Sequence, residues 1–298
     1  MGEIRAARVN NGQTGVLYLC ATPIGNLGDI TQRVIDTLRE VDLIAAEDTR
    51  NSIKLLNHFD IHTQMTSYHE YNKVEKAAWL IAQMKEGKNV ALITDAGTPA
   101  ISDPGEVLVA MCQAEGIHVT SLPGACAAIT ALTLSGLSSR RFVFEGFLPE
   151  EKKERAQVLE ELSQERRTMI LYSAPHDLKK NLKLLQQTLG NRKLTICREL
   201  TKKFESVMPT TLDEAIAYHE ENDPRGEYVL VIEGRSREDL QAQKAQQFED
   251  MSIAEHVQLY EQKGFDRKAA MKAAADDRGI SKRDIYQALL QEKDGNTE

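Results

Sequence analysis

Apolar residues in this chain come in short continuous runs, and the runs alternate with stretches whose apolar positions recur every three or four residues. Residues 16–21, 42–46, 89–94 and 117–122 are apolar runs of strand length. Residues 30–41, 49–59, 72–86 and 106–114 have helical periodicity, with Val34, Ile35 and Leu38 on one face of the first. A small-residue turn at 123–128 opens a further helix to about residue 135. Strands alternating with helices of this length predict βαβ units and a mostly parallel sheet.

A second set begins near Arg141. Residues 142–147, 168–173, 194–200, 204–208 and 228–233 read as strands, and 150–165, 177–189 and 211–221 as helices. The fold class expected is α/β: two α/β domains around a cleft, hinged near residues 136–140, with a small all-α domain at the carboxyl end. The expected division is a disordered arm at 1–14, domains at 15–138 and 139–235, a polar Gln-rich linker at 236–251 and a helical domain at 252–298. In the last, residues 269–278 and 282–290 flank a Gly279 turn with helix-turn-helix character.

The chemistry gathers in the turns that follow the strands. Asp95-Ala96-Gly97-Thr98-Pro99-Ala100-Ile101-Ser102-Asp103-Pro104-Gly105 is a long turn between a strand and a helix. Ligands of open α/β sheets bind outside the carboxyl ends of strands. Gly97 and Gly105 let backbone approach a ligand, and Pro99 and Pro104 stiffen the path. The turn has no Lys or Arg, which argues against a phosphate-cradling loop and favours a ligand with a small zwitterionic end. TPIGNLGD at 22–29 and LPGACAA at 122–128 are companion turns. The first lacks the GxGxxG spacing of a dinucleotide site. In it, Asp29 reads as a helix N-cap with Gln32 completing a capping box.

Composition narrows the picture. With 41% hydrophobic and 28% charged residues over 298 positions, the chain is expected to be a soluble, cytoplasmic, multi-domain protein. No apolar stretch has the length of a membrane helix, and the amino-terminal residues lack the apolar core of a secretory signal. Cys20, Cys112, Cys126 and Cys197 are far apart, so neither a metal site nor a disulfide framework is expected. The net charge of −8 argues against a protein held to nucleic acid by bulk charge. Eight Lys/Arg against nine Asp/Glu in 252–298 give the tail no basic excess either.

TPIGNLGDIT, AAEDTR, TDAGTPAISDPG, LPGACAA, YSAPH, CRELTK and GEYVLVIEG, in that order, resemble the motifs of the tetrapyrrole methylase superfamily. The chain is most similar to its bacterial members that methylate ribosomal RNA, over about residues 15–234, and the helical tail is also like theirs. The resemblance implies two α/β domains around a cleft, S-adenosylmethionine as cofactor, a homodimer, and methylation of a cytidine 2′-hydroxyl in the decoding region of 16S rRNA. By position it implies cofactor contacts at Pro23, Ala96, Gly97, Thr98, Ile101, Cys126, Ala127, Ser173 and Leu200.

A ribose hydroxyl is a weak acid, so a base at a cleft-facing strand end is expected. Glu47, Asp48, Asp103 and Glu199 qualify. Each also has a plain structural use. Asp103 can cap a helix with Pro104 at its first position and Glu106 closing a capping box, Asp48 can cap the helix at 49, and Glu199 can pair with Lys202 or Arg198. RNA calls for cations and stacking rings. Arg50 and Lys54 share a helix face, Arg198, Lys202 and Lys203 cluster, and Tyr68, His69 and Tyr71 offer rings. His176 after Pro175 reads as a turn or capping residue. The acidic total points to an assembled small ribosomal subunit as the substrate, where shape adds to charge. Two other readings keep parts of this pattern: a methyltransferase on a small tetrapyrrole-like ring, and a cofactor-binding regulatory protein that uses the tail on DNA.

Overall fold

The computed structural model describes residues 14–236, 239, 241 and 245–294. The expected arm, apart from Thr14, and part of the expected linker lie outside them. The first ten elements are β1 (Val16–Cys20), α1 (Gln32–Glu40), β2 (Leu43–Ala46), α2 (Thr49–His58), β3 (Met65–Ser67), α3 (Lys73–Lys85), β4 (Val90–Ile93), α4 (Gly105–Ala114), β5 (His118–Leu122) and α5 (Ala127–Leu134). Their strands form one sheet in the order β3-β2-β4-β1-β5, parallel throughout. Parallel pairing puts every strand's carboxyl end on the same edge, so the turns after β1, β2, β4 and β5 meet there.

Both faces of this sheet are covered, which is why its strands read as continuous apolar runs. Leu17 and Leu19 of β1 pack with α3 and α4, and Cys20 packs on the opposite face with Val34, Ile35 and Leu38 of α1. β3 has no counterpart among the expected strands. Its three residues, half-buried at the sheet edge, are too few to show alternation.

The second set is β6 (Phe142–Phe147), α6 (Lys152–Gln164), β7 (Thr168–Ser173), α7 (Pro175–Leu189), β8 (Lys193–Arg198), β9 (Ser206–Thr211), α8 (Leu212–Glu221) and β10 (Tyr228–Ile232). The sheet order is β6-β7-β10-β8-β9, with β6 and β7 parallel and the other pairs antiparallel. β9 starts two residues later than expected and takes in Pro209, which an edge strand tolerates. Alternation along β10 divides its two faces. Tyr228, Leu230 and Ile232 pack under α6, α7 and α8, while Val229 and Val231 pack against Ala128, Ala131 and Leu132 of α5. Thus α5, the last helix of the first set, covers the near face of the second sheet.

Both sheets belong to one compact unit, which extends to Leu162 and resumes over Arg167–Glu233. The second unit comprises Ser163–Arg166 and the chain from Gly234. It contains α9 (Ile253–Gln262), α10 (Arg267–Arg278) and α11 (Lys282–Asp294) around Val257, Ala270, Ala274, Ala275 and Ile285. Ser252 and Glu255 form a capping box on α9, and left-handed Gly279 ends α10 at φ 67°.

Two capping expectations are corrected. Asp29 does not cap α1. Asn26 caps a single 3-10 turn at Leu27–Asp29, and Thr31 Oγ1 accepts the Val34 N–H at 3.2 Å. Nor does Asp103 begin a capping box with Glu106. Pro104 is the N-cap of α4, and Asp103 instead accepts the N–H groups of Ala100 (2.9 Å), Ile101 (3.1 Å) and Gly105 (2.8 Å). The chain loops back at Ala100 and Ser102, both at positive φ, and Asp103 ties that loop.

Candidate active site

The turns at the carboxyl edge of the first sheet are fastened to one another. Thr22 and Gly97 exchange backbone hydrogen bonds of 2.9 and 3.1 Å. Thr22 Oγ1 donates to Thr94 O at 3.1 Å, and Thr98 Oγ1 to Ala125 O at 2.9 Å. Gly97 has φ +88°, and a Cβ there would lie 3.3 Å from Ile24 Cγ2 and 3.5 Å from Ala125 O. The second turn therefore needs a glycine where it passes between the first and third.

Below this rim lies a cavity of about 500 Å³, between the turns and the near face of the second sheet. Ala96, Gly97, Thr98, Ile101, Cys126, Ala127, Ser173 and Leu200 all line it. Pro23 does not, and its neighbour Ile24 does. Sequence reasoning missed Asp95, Ser102, Phe147, Tyr172 and Tyr228, which line it too. Tyr172 is the most informative of them. Its hydroxyl accepts the Ala128 N–H at 3.2 Å, and its ring stacks edge-on with Phe144 and Phe147 at 5.1 and 5.4 Å. Burial pushes its phenol up to about 12, so it stays neutral. Alternation was the available signal, since Tyr172 lies between Leu171 and Ser173 and faces away from the Leu171 core.

The four candidate carboxylates separate clearly. Asp48 caps α2 through the Arg50 N–H (2.8 Å) and pairs with the Arg50 guanidinium at 2.8 Å, which holds its carboxyl at about 2. Asp103 lines the cavity, but its oxygens are occupied by the three loop N–H groups above. Glu199 does not line it. Burial opposes its charge, yet the Glu227 N–H and the Lys202 ammonium, each 2.9 Å away, outweigh burial and hold it below the usual carboxylate range. Glu47 does line the cavity. Burial, and then the charges of Asp95, Asp103 and Asp48, raise its carboxyl above the ordinary value, although the Asp95 N–H approaches it at 3.4 Å. Asp95 is itself positioned by the Asp48 N–H and Asn51 Nδ2, both at 3.2 Å.

The cations expected to meet RNA are not equally available. Lys202 bridges Glu199 and Glu227, and Arg198 Nε donates to Arg225 O at 2.7 Å, so both brace the end of the second sheet. Arg50 pairs with Asp48 but keeps an exposed side chain, and Lys54 is exposed. Tyr68 cannot stack on a base. It is 1% exposed in the first core, with its hydroxyl donating to Pro104 O at 2.9 Å. His176 lies in the first turn of α7, 3.2 Å from Asp177 and away from the cavity lining.

The cavity suits a ligand with both an anionic and a cationic group. The N-caps of α5 and α7, Cys126 and Ala174, line it and make no side-chain capping bond, so two helix amino-termini supply positive ends to an anion. Glu47, Asp95 and Asp103 supply negative charge for a cation. Methionine's zwitterionic end and a sulfonium centre match these requirements. Among the described residues no group of three or more His, Cys, Asp or Glu is placed to hold a metal ion.

Residues 16–216 match the family model "Tetrapyrrole (Corrin/Porphyrin) Methylases". A relative from Halalkalibacterium halodurans named "Ribosomal RNA small subunit methyltransferase I" is 50% identical, covering 93% of this chain and 96% of its own. Relatives of the same name are 46% identical in Bacillus subtilis, over 93% of this chain and 96% of the relative, and 42% in Escherichia coli O157:H7, over 94% and 96%. Among solved structures, a diphthine synthase superposes with TM-score 0.60 at 14% identity, covering 74% of this chain and 90% of that one. A cobalt precorrin-4 methyltransferase superposes with TM-score 0.56 at 18% identity, covering 76% and 97%. At those identities the superpositions establish the fold alone. The chain belongs to the tetrapyrrole (corrin/porphyrin) methylase family and is a methyltransferase whose methyl donor is S-adenosylmethionine.

Proposed function

We propose that the protein methylates the 2′-hydroxyl of a cytidine ribose in the decoding region of 16S rRNA, in the assembled small subunit, as a cytoplasmic homodimer. The relatives' shared name supports the ribosomal substrate. The observation that carries the reading over a tetrapyrrole substrate is that the relatives sharing this name match over 93–94% of the chain at 42–50% identity. The DNA-binding reading calls for a basic recognition helix, and the tail has no cationic excess. No helix among the described residues is long and apolar enough to cross a membrane.

S-adenosylmethionine, when bound, supplies an electrophilic methyl on sulfur. Residues 96–98 and Ile101 would hold it along the second turn, the first turns of α5 and α7, beside the Tyr172 hydroxyl that takes the Ala128 N–H, would receive its carboxylate, and Leu200 and the Tyr172 ring would pack against it. The fastened turns orient it before the acceptor arrives, which lowers the entropic part of the barrier. The rings of Phe147 and Tyr172, 5.4 Å apart, give the donor an aromatic wall to pack on.

The test is transfer of labelled methyl to small subunits from an unmethylated strain, to the same rRNA freed of protein, and to a tetrapyrrole precursor, with the product mapped to base or ribose. Label on a cytidine ribose of the subunit is expected, with less on free rRNA. Label on the tetrapyrrole alone would overturn the substrate assignment.

A further inference from the structure

A second concavity lies on the same edge of the first sheet. It measures about 380 Å³, beyond the ends of β2 and β3, between residues 47–50 on one side and Ser67, His69, Glu70 and Tyr71 on the other. Glu47 is the one lining residue it shares with the donor cavity. A group seated in this pocket therefore meets the donor across the Glu47 carboxyl.

Three features of the pocket point to a nucleoside. Tyr71 is 97% exposed, and its only ring neighbour among the described residues is His69, edge-on at 6.1 Å. A phenol ring left so bare at the rim of a pocket is a stacking surface for a base. His69 Nδ1 is buried without a hydrogen-bond partner, while the His69 backbone N–H is fixed to Asn72 Oδ1 at 2.8 Å. His69 Nε2 lies 3.4 Å from Asn72 Nδ2, so Nδ1 is the ring nitrogen left over for a ligand hydroxyl or base edge once the ring turns toward the pocket. The wall also carries Asp48 and Glu70, ion-paired to Arg50 and Lys73 but with lone pairs beyond those bonds, and carboxylates accept from the exocyclic amine of a base such as cytosine. Arg50 stands at the mouth with its guanidinium against Asp48 and most of its side chain in solvent, in reach of a flanking phosphate.

We propose that this pocket is the acceptor subsite: it takes an amino-bearing nucleoside of single-stranded RNA, stacked on Tyr71, and Glu47 is the catalytic residue that receives the proton of its ribose hydroxyl. This rests on the RNA ribose reading given above. The neighbouring carboxylates are engaged elsewhere, Asp48 in the cap and ion pair of α2 and Asp103 in the loop it ties. As the hydroxyl oxygen bonds to the methyl carbon, the carbon–sulfur bond breaks with its electron pair on sulfur. The hydroxyl proton passes to the Glu47 carboxylate. The positive charge on sulfur and the negative charge on Glu47 vanish together, and Glu47 then returns the proton to water.

The experiment uses the full chain with S-adenosylhomocysteine bound and measures cytidine binding by saturation-transfer NMR. Wild type binds cytidine saturably. Tyr71→Ala weakens that binding about tenfold or more and leaves S-adenosylhomocysteine affinity unchanged. Glu47→Gln keeps both ligands but lowers the single-turnover rate on small subunits by about 10²- to 10⁴-fold, and the acidic limb of the pH–rate profile disappears. Cytidine binding that is absent in wild type, or indifferent to Tyr71→Ala, overturns the subsite. An unchanged rate and pH profile in Glu47→Gln overturns the base. If no RNA is methylated while Tyr71-dependent cytidine binding persists, the reaction proposed earlier falls and the nucleoside subsite stands.

Discussion

Gly25 shows how single residues set this site. A Cβ there would lie 2.3 Å from Lys202 Cγ and 3.0 Å from both Leu200 O and Thr201 Oγ1. Glu199 and Thr201 on the facing segment already have positive φ, so that backbone has little freedom to retreat. Gly25→Ala is expected to displace Leu200 from the cavity wall and to weaken S-adenosylmethionine binding about tenfold or more, read by calorimetry; unchanged affinity would show that the first turn can move freely. Glu47 carries a different expectation. Its folded carboxyl titrates above the ordinary value, so between the unfolded and folded values the native state holds the extra proton. Stability contributed by that proton is present at low pH and lost as pH rises through the folded value. Glu47→Gln should therefore raise the melting temperature at neutral pH, and the gain should shrink on acidification. The site accepts this cost because a base with a raised pKa lies closer to working pH.

At the scale of elements, α5 has two duties. Its amino-terminus faces the donor cavity, and Ala131, fully buried, lies against the second sheet. Ala131→Leu would overpack that contact, costing about 1–3 kcal/mol, and would also lower cofactor affinity, because the helix cannot yield without moving Cys126 and Ala127. Differential scanning calorimetry with and without S-adenosylhomocysteine separates the two effects. In the helical unit, His256 of α9 is fully buried, stacked on Phe248 at 3.8 Å, with Asp277 Oδ2 3.4 Å from Nε2, Arg278 donating to Nδ1, and Tyr260 and Lys263 nearby. Burial, then the Arg278 charge, depress its pKa against the pull of Asp277. Its contribution to stability is present above the ordinary histidine value and is lost as pH falls through the folded value. The protection factors of the α9 amides, each observed rate divided into its intrinsic rate at that pH, should fall on acidification below about pH 6.5, and an acid-insensitive protection of α9 would refute this.

The whole molecule is acidic, with a net charge of −8, yet its proposed substrate is RNA. Attraction to phosphate alone would be weak, so binding should depend on the shape of the assembled subunit. We propose that the helical unit supplies part of that recognition. Removing residues 240–298 should lower methylation of subunits while S-adenosylhomocysteine affinity is retained; equal methylation by the shortened chain would refute it.

The sequence by itself determined the alternation of strands and helices and the turns that rim the cavity. Turn chemistry is local: Gly97, the prolines and the small residues near Cys126 act through backbone positions that neighbours in sequence fix. Tertiary structure decided the rest, because it depends on partners far along the chain. Lys202 and Arg198 form a cationic cluster in sequence, but Glu227 and the Arg225 carbonyl claim them in the fold. Tyr68, His69 and Tyr71 are near-neighbours in sequence, yet β3 turns Tyr68 into the core and leaves Tyr71 in solvent. Tyr172 joins the cavity only because α5 crosses to the second sheet and presents the Ala128 N–H to its hydroxyl. Glu47 differs from the other candidate carboxylates through burial beside Asp95 and Asp103, charges about fifty residues away that parallel pairing of β2 with β4 brings alongside.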